Sequence, residues 1–281
     1  MHYFLVLHFM NSHLSSQAAF DALVAPTQSR VWRWAATAAI AANLALNYVS
    51  QRYPFNGQTN GQVSYKYPTP LTPAGYAFSI WGLIFLGLAF YAIWQLLPAQ
   101  RRNLLPDAVA RPLVLANLMT SLWLVVFAYE LLVPSMVVML LILASLAVVY
   151  GRTRHFVQRG EAPWYSSVAF GLYLGWISVA TVVNVTLGIG TKWQPAAAQA
   201  IEIAIVLVGI TAGVALNVTK KFREFAYPAA VAWGLLGIWA ARRAAADTLV
   251  LAWMALAAAA LVAIVGLVLV WWGRRKASRS W

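Results

Sequence analysis

The residues of this chain best suited to chemistry are rings and amides rather than acids, bases or metal ligands. At 100° per residue, Phe78, Trp81 and Phe85 fall on one face of an uncharged apolar run. Tyr173, Trp176, Ala180 and Asn184 follow at i, i+3, i+7 and i+11, a stripe carrying a ring, an indole, a small gap and an amide. Asn117, Thr120 and Ser121 share a face by i, i+3, i+4 spacing, and Asn43 and Asn47 form an i, i+4 pair. Where such faces converge they make an aromatic cavity with a few amides, whose chemistry is non-covalent recognition of a hydrophobic small molecule. The competing reading gives the rings to lipid and the amides to interhelical hydrogen bonds.

Other chemistries find little material. There is no cysteine, hence no disulfide, thiolate metal site or Cys nucleophile. His2, His8, His13 and His155 all lie outside the predicted spans. No axial imidazole for haem is therefore expected inside the bundle, and a tetrapyrrole would have to stack on rings. With no Gly-rich phosphate loop, no HExxH and no paired membrane carboxylates, the sequence supports neither a hydrolytic nor a metal enzyme and requires no cofactor. Glu130 and Glu202 are the carboxylates near span ends, Glu202 within reach of Lys192; a carboxylate at membrane depth is a functional candidate.

The elements that must position these residues follow from composition. Of 281 residues, 62% are hydrophobic and only 10% charged, with a mean hydropathy of +0.70. A soluble domain carries about 25% charged residues, so this is an integral membrane protein. Its net charge of +13 lies between apolar segments, where it sets orientation and meets anionic lipid rather than nucleic acid. Apolar runs predict eight crossings, at about 31–49, 73–97, 112–132, 134–150, 165–186, 195–218, 225–241 and 246–272, the seventh short. With both termini in the cytoplasm, fifteen Lys/Arg fall inside and five outside, a bias that an odd helix count would scramble. The fold class is all-α, a polytopic membrane helix bundle, expected in a bacterial cytoplasmic (inner) membrane.

Within that bundle, Pro73 is expected in the first turn of the second span, and Gly75, Gly82 and Ala89 recur on a face open to close helix approach. Loop 50–72, rich in Asn, Gly, Tyr and Pro, is expected to form turns and to act either as a lid or as a connector. Val133 and Pro134 join the third and fourth helices as a tight hairpin, and Gly209 and Gly213 are expected to pack the sixth helix inside the bundle.

The runs TPAGYAFSIWGLIF and YLGWISVATVVN, in that order, resemble the second- and fifth-helix signatures of the TspO/MBR family of tryptophan-rich sensory or translocator proteins. The matching positions are Pro73, Phe78, Trp81, Phe85, Asn117, Tyr173, Trp176, Ala180 and Asn184. The Phe78 to Trp81 spacing is three where the family usually has four. Thr120 stands where a Trp is usual, with Trp123 three residues later, and Leu172 where a Pro commonly precedes the Tyr. The resemblance covers about residues 31–186 and implies a TspO-like five-helix bundle there. An N-terminal peripheral segment, 1–30, would precede it, and three further helices with a basic tail, 187–281, would follow.

It also implies a pocket under the first loop for a porphyrin-like, sterol-like or other aromatic guest, with a role in sensing, trafficking or disposal. Residues 46–52 and 148–152 fit the loose sterol formula, which chance matches often satisfy. A small-solute secondary transporter, and a structural subunit of a larger membrane complex or homodimer, are the alternative functions.

Overall fold

A computed structural model describes residues 30–277; nearly all of the predicted N-terminal segment, with His2, His8 and His13, lies outside the described residues. Nine α-helices are present among the described residues and no strand. They are α1 (Arg30–Arg52), α2 (Asn60–Lys66), α3 (Ile80–Trp94), α4 (Leu105–Ala128), α5 (Leu132–Gln158), α6 (Val168–Gly190), α7 (Ala197–Phe222), α8 (Ala226–Arg242) and α9 (Leu249–Ala277). Eight of them are long and correspond to the eight predicted apolar runs. By length and composition, six segments are apolar enough to cross a membrane. The two long helices outside that set are α1, which carries arginines at both ends, and α8, which at 17 residues is the short seventh run.

Helix α6 is the centre of the bundle. Its span is 67% buried inside the protein, against 22% for the spans of α7 and α9, which therefore face lipid over most of their surface. Apolar side chains gain nothing by leaving lipid for protein, so contact between spans is decided by how closely backbones can approach. Gly171 and Gly175 supply that approach on α6. A Cβ on Gly175 would lie 2.5 Å from Tyr227 O and 2.8 Å from Ala230 Cβ, both on α8, while Gly234 of α8 meets Val179 of α6 in the same way. The small-residue seam is thus GLYLG at 171–175. Gly209 and Gly213, expected to pack α7 inside the bundle, have no atom within 4 Å of a built Cβ, and the same holds for Gly82. Spacing alone does not say which face meets a neighbour. On α3 the close approach falls instead at Gly87, 2.8 Å from Ala169 Cβ.

The second span also begins later than its hydropathy suggests. Residues Gly75–Ser79 form a 3-10 turn and the α-helix starts at Ile80, with Pro73 ahead of it rather than in its first turn. Helix α8 is the reason. Gly237 O accepts from Ala74 N at 2.9 Å, the Trp233 indole N–H donates to Ala77 O at 2.9 Å, and Tyr76 OH donates to Leu236 O at 3.1 Å. Backbone groups that would have served an α-helix are taken by another element.

The α6–α8 seam makes opposite forecasts for two glycines. Gly175→Ala should lower the unfolding midpoint in detergent, by about 1–3 kcal/mol of overpacking. Gly82→Ala, in open space on an exposed helix face, should be neutral or stabilising by up to about 1 kcal/mol; equal effects would contradict the seam.

Candidate functional site

Beneath the α2 segment, four elements enclose an apolar cavity of about 50 Å³. Phe78 comes from the 3-10 turn ahead of α3, Trp81 from the first turn of α3, Thr120, Trp123 and Phe127 from α4, Met139 and Ile142 from α5, and Trp176, Ala180 and Asn184 from α6. Pro73 closes one corner, and Asn60 and Ser64 of α2 roof it. The rings brace one another, two pairs edge to face and one stacked. Phe78 meets Trp176 at 5.6 Å between centroids, Trp81 meets Tyr173 at 5.6 Å, and Phe85 stacks on Trp81 at 5.1 Å. At about 10–15 Å³ per water, 50 Å³ admits a few waters, so a flat aromatic guest requires wall or roof to move.

Of the eight residues expected to form the site, Phe78, Trp81, Trp176, Ala180 and Asn184 line this cavity, whereas Phe85, Asn117 and Tyr173 stand behind its wall. Asn117 is fully buried and its amide is committed: its Oδ1 accepts from Asn43 Nδ2 at 2.9 Å and its Nδ2 donates to Leu113 O at 2.8 Å. Asn47 continues the chain by donating to Asn43 Oδ1 at 2.8 Å. Thr120 spends its proton on Ala116 O at 2.8 Å, so the Tyr173 hydroxyl donates to Thr120. Of the two amides expected in the site, the one that lines the void is Asn184, whose Oδ1 accepts from the Ser135 hydroxyl at 3.2 Å.

The most informative wall residue is one the spacing argument passed over. Trp123 lines the cavity, stacks on Phe127 at 4.7 Å, and its buried indole N–H has no partner among the described residues. An unsatisfied buried donor carries a desolvation cost, which an acceptor on a guest or a water would relieve.

Segment 50–72 folds further than turns. Thr59 and Gln62 form a reciprocal capping box, with Gln62 N donating to Thr59 Oγ1 at 3.3 Å and Thr59 N to Gln62 Oε1 at 2.7 Å, and α2 starts from it. Three fastenings hold the segment over the cavity. Glu130, at the α4–α5 turn with φ +59, accepts from Gln58, from Lys66 Nζ at 2.6 Å and from the Tyr67 hydroxyl. Asn56 Nδ2 donates to Ala128 O at 3.1 Å. From α8, Arg242 donates to Thr69 O at 2.6 Å and Pro70 O at 3.0 Å. The Lys66 ammonium, then the Tyr67 and Gln58 donors, pull the Glu130 carboxyl from the ordinary value of 4.5 down to about 2. The same contact raises the Lys66 ammonium and the Tyr67 phenol.

Other expected features lie elsewhere. His155, outside the predicted span, is helical in the last turn of α5 and does not line the cavity. Tyr150, centre of the second sterol-like match, is 1% exposed and donates to Glu224, so it does not face lipid. Glu202 is exposed on α7 and makes no ion pair with Lys192.

A family model described as TSPO-like protein matches residues 33–268, running well past residue 186 and through α7 to α9. No curated protein and no solved structure matches the chain.

Because the Glu130 carboxyl is held low, the Glu130 fastening is complete above about pH 4.5 and is lost as pH falls through about 2. Amide exchange of residues 58–69, corrected for intrinsic rates, should show constant protection from neutral pH down to about 4.5 and a loss below it. Glu130→Gln should show the loosened lid already at neutral pH; unchanged protection in that variant would remove the fastening.

Proposed function

This chain belongs to the TSPO-like protein family, and we propose that it is a membrane receptor for a flat, hydrophobic aromatic ligand, held among Trp81, Trp123, Trp176 and Phe78 beneath a fastened lid. The observation that carries this reading is the unpartnered Trp123 N–H in an apolar wall where Phe78, Trp81, Trp123, Phe127 and Trp176 stand among aliphatic side chains. Ring faces suit an aromatic body, and the Trp123 indole and Asn184 amide suit an acceptor at its edge. Porphyrins and related tetrapyrroles fit that description without an axial ligand; among the lining residues there is no histidine. The described form, with room for a few waters, is the closed one, and admission of the guest requires release of the segment that Glu130 and Arg242 hold. Sensing, trafficking or disposal of such a molecule would use the same closed and open forms. The fifteen-to-five distribution of basic residues supports a lid facing outward from a bacterial inner membrane, with both termini cytoplasmic.

Titrating purified protein with protoporphyrin while following tryptophan fluorescence should give saturable quenching. Trp81→Ala combined with Trp176→Ala should weaken it at least about tenfold, since each ring pair lost costs about 0.5–1.5 kcal/mol beyond its buried area. Trp123→Phe, which keeps the ring and deletes the donor, should cost about fivefold, near 1 kcal/mol. Identical titrations for wild type and the double variant would contradict the proposal.

A further inference from the structure

At the end of the bundle away from the lid, a cleft of about 530 Å³ opens between the C-terminal ends of α5 and α7 and the flank of α9. Its wall includes Arg154, Trp164, Lys220, Lys221, Arg223 and Glu224. Basic residues at a helix C-terminus have an ordinary role, offsetting the partial negative charge of the last carbonyls, and Lys220 and Lys221 hold that place on α7.

Several observations go beyond that role. Arg154 is 6% exposed, donating to Ser167 Oγ at 3.1 Å and Phe222 O at 2.7 Å, yet its Nε has no partner. A buried guanidinium N–H without an acceptor is uncommon and costly. Arg223 caps α7 in the left-handed region at φ +49, where glycine is the residue at ease, and its charge there borders the cleft. Among the described residues, neither Lys220, Lys221 nor Arg223 forms an ion pair. The one carboxylate in the wall does not neutralise them by contact. Glu224 accepts from Ala226 N at 2.7 Å, Tyr227 N at 3.1 Å and the Tyr150 hydroxyl at 3.0 Å.

The cleft also has an apolar side. Val270 lines it, and next to Val270 on α9 stand the exposed Leu267 and Trp271. At the rim the Trp164 indole is 59% exposed, the setting of an aromatic at headgroup depth. A soluble anion has no use for that apolar flank; a lipid has.

We propose that this cleft binds the phosphate of an anionic lipid headgroup among Arg154, Lys220, Lys221 and Arg223, with the acyl chains lying along α9. The full chain, purified and delipidated, would be compared for uptake of phosphatidylglycerol and phosphatidylcholine by native mass spectrometry, with inorganic phosphate as competitor. Wild type should prefer phosphatidylglycerol. Arg223→Gly should keep or raise the thermal midpoint, because glycine suits that backbone, while weakening phosphatidylglycerol roughly fivefold. With Lys220→Gln and Lys221→Gln added, the loss should reach on the order of a hundredfold. A triple variant that folds and keeps the wild-type preference would overturn the proposal. Displacement of phosphatidylglycerol by excess inorganic phosphate would overturn the lipid assignment and give the cleft to a soluble anion.

Discussion

The hydrogen bond from Asn43 to Asn117, both fully buried, is the contact on which the arrangement of this bundle turns. In hydrocarbon there is no water to satisfy a stray amide, so polar side chains on membrane helices must find one another. Asn43 ties α1 to α4 in this way, and Tyr173 ties α6 to α4 through Thr120. Such links contribute only about 0.6–2 kcal/mol each, but they fix rotation as well as distance. With Asn117 and Thr120 turned toward partners, the neighbouring face of α4 presents Trp123 and Phe127 to the cavity. At the far end, Arg33 on α1 grips the Asp107 carboxylate through two nitrogens at 2.6 and 2.7 Å and also donates to the carbonyls of Gln100 and Asn103. Helix α1 is thereby held to α4 at two depths, by amides in the lid-side half and by a buried ion pair in the other.

The two boundaries of the cavity differ in kind. Its walls are interlocked rings and aliphatic side chains on helices whose backbones are pressed together outside the cavity, α3 on α6 at Gly87 and α6 on α8 at Gly171, Gly175 and Gly234. Packing of this type has few alternative arrangements. Its roof is a seven-residue helix on a polar segment held by side-chain contacts to Glu130, Ala128 and Arg242. The Glu130 and Arg242 contacts involve exposed or half-exposed groups that water and ions can replace, whereas Val63 and Leu71 of the segment are buried in the apolar core. In the proposed function, a rigid wall below a roof with replaceable polar fastenings is what would let the cavity be small when closed and larger when open. Helix α8 joins the two, packing on α6, shaping the lead-in to α3 through Trp233, and holding the roof through Arg242.

Hydropathy located every long helix because eight apolar runs separated by charge leave few other folds. It placed ends less well: α5 continues to Gln158, eight residues beyond its apolar run, so that Arg152, Arg154 and His155 are helical. The α3 boundary was hidden because it is set by hydrogen bonds from α8, a partner more than 150 positions away. Ring periodicity identified Phe78, Trp81 and Trp176, which line the cavity, but could not separate them from Phe85 and Tyr173, which stand one layer back on neighbouring faces. Trp123 was visible as the indole three residues after the position where the family usually has one. Helix α2 carried a signal of its own, the Thr59–Gln62 capping box, masked by the turn-forming residues around it. Gly209 and Gly213 matched the small-residue pattern as well as Gly171 and Gly175 do. Only the position of α8 decides which pair is used.

In the proposed function, rings from α3, α4 and α6 surround a space that a guest occupies once the roof lifts. A structure determined in lipid with an aromatic ligand present tests it most directly. The expected result is ligand density between Trp81, Trp123 and Trp176, an acceptor atom within hydrogen-bond distance of the Trp123 indole nitrogen, and residues 60–66 displaced from their place over Phe78. Ligand density confined to the lipid-facing surface, with the three indoles still packed as in the closed form, would contradict it.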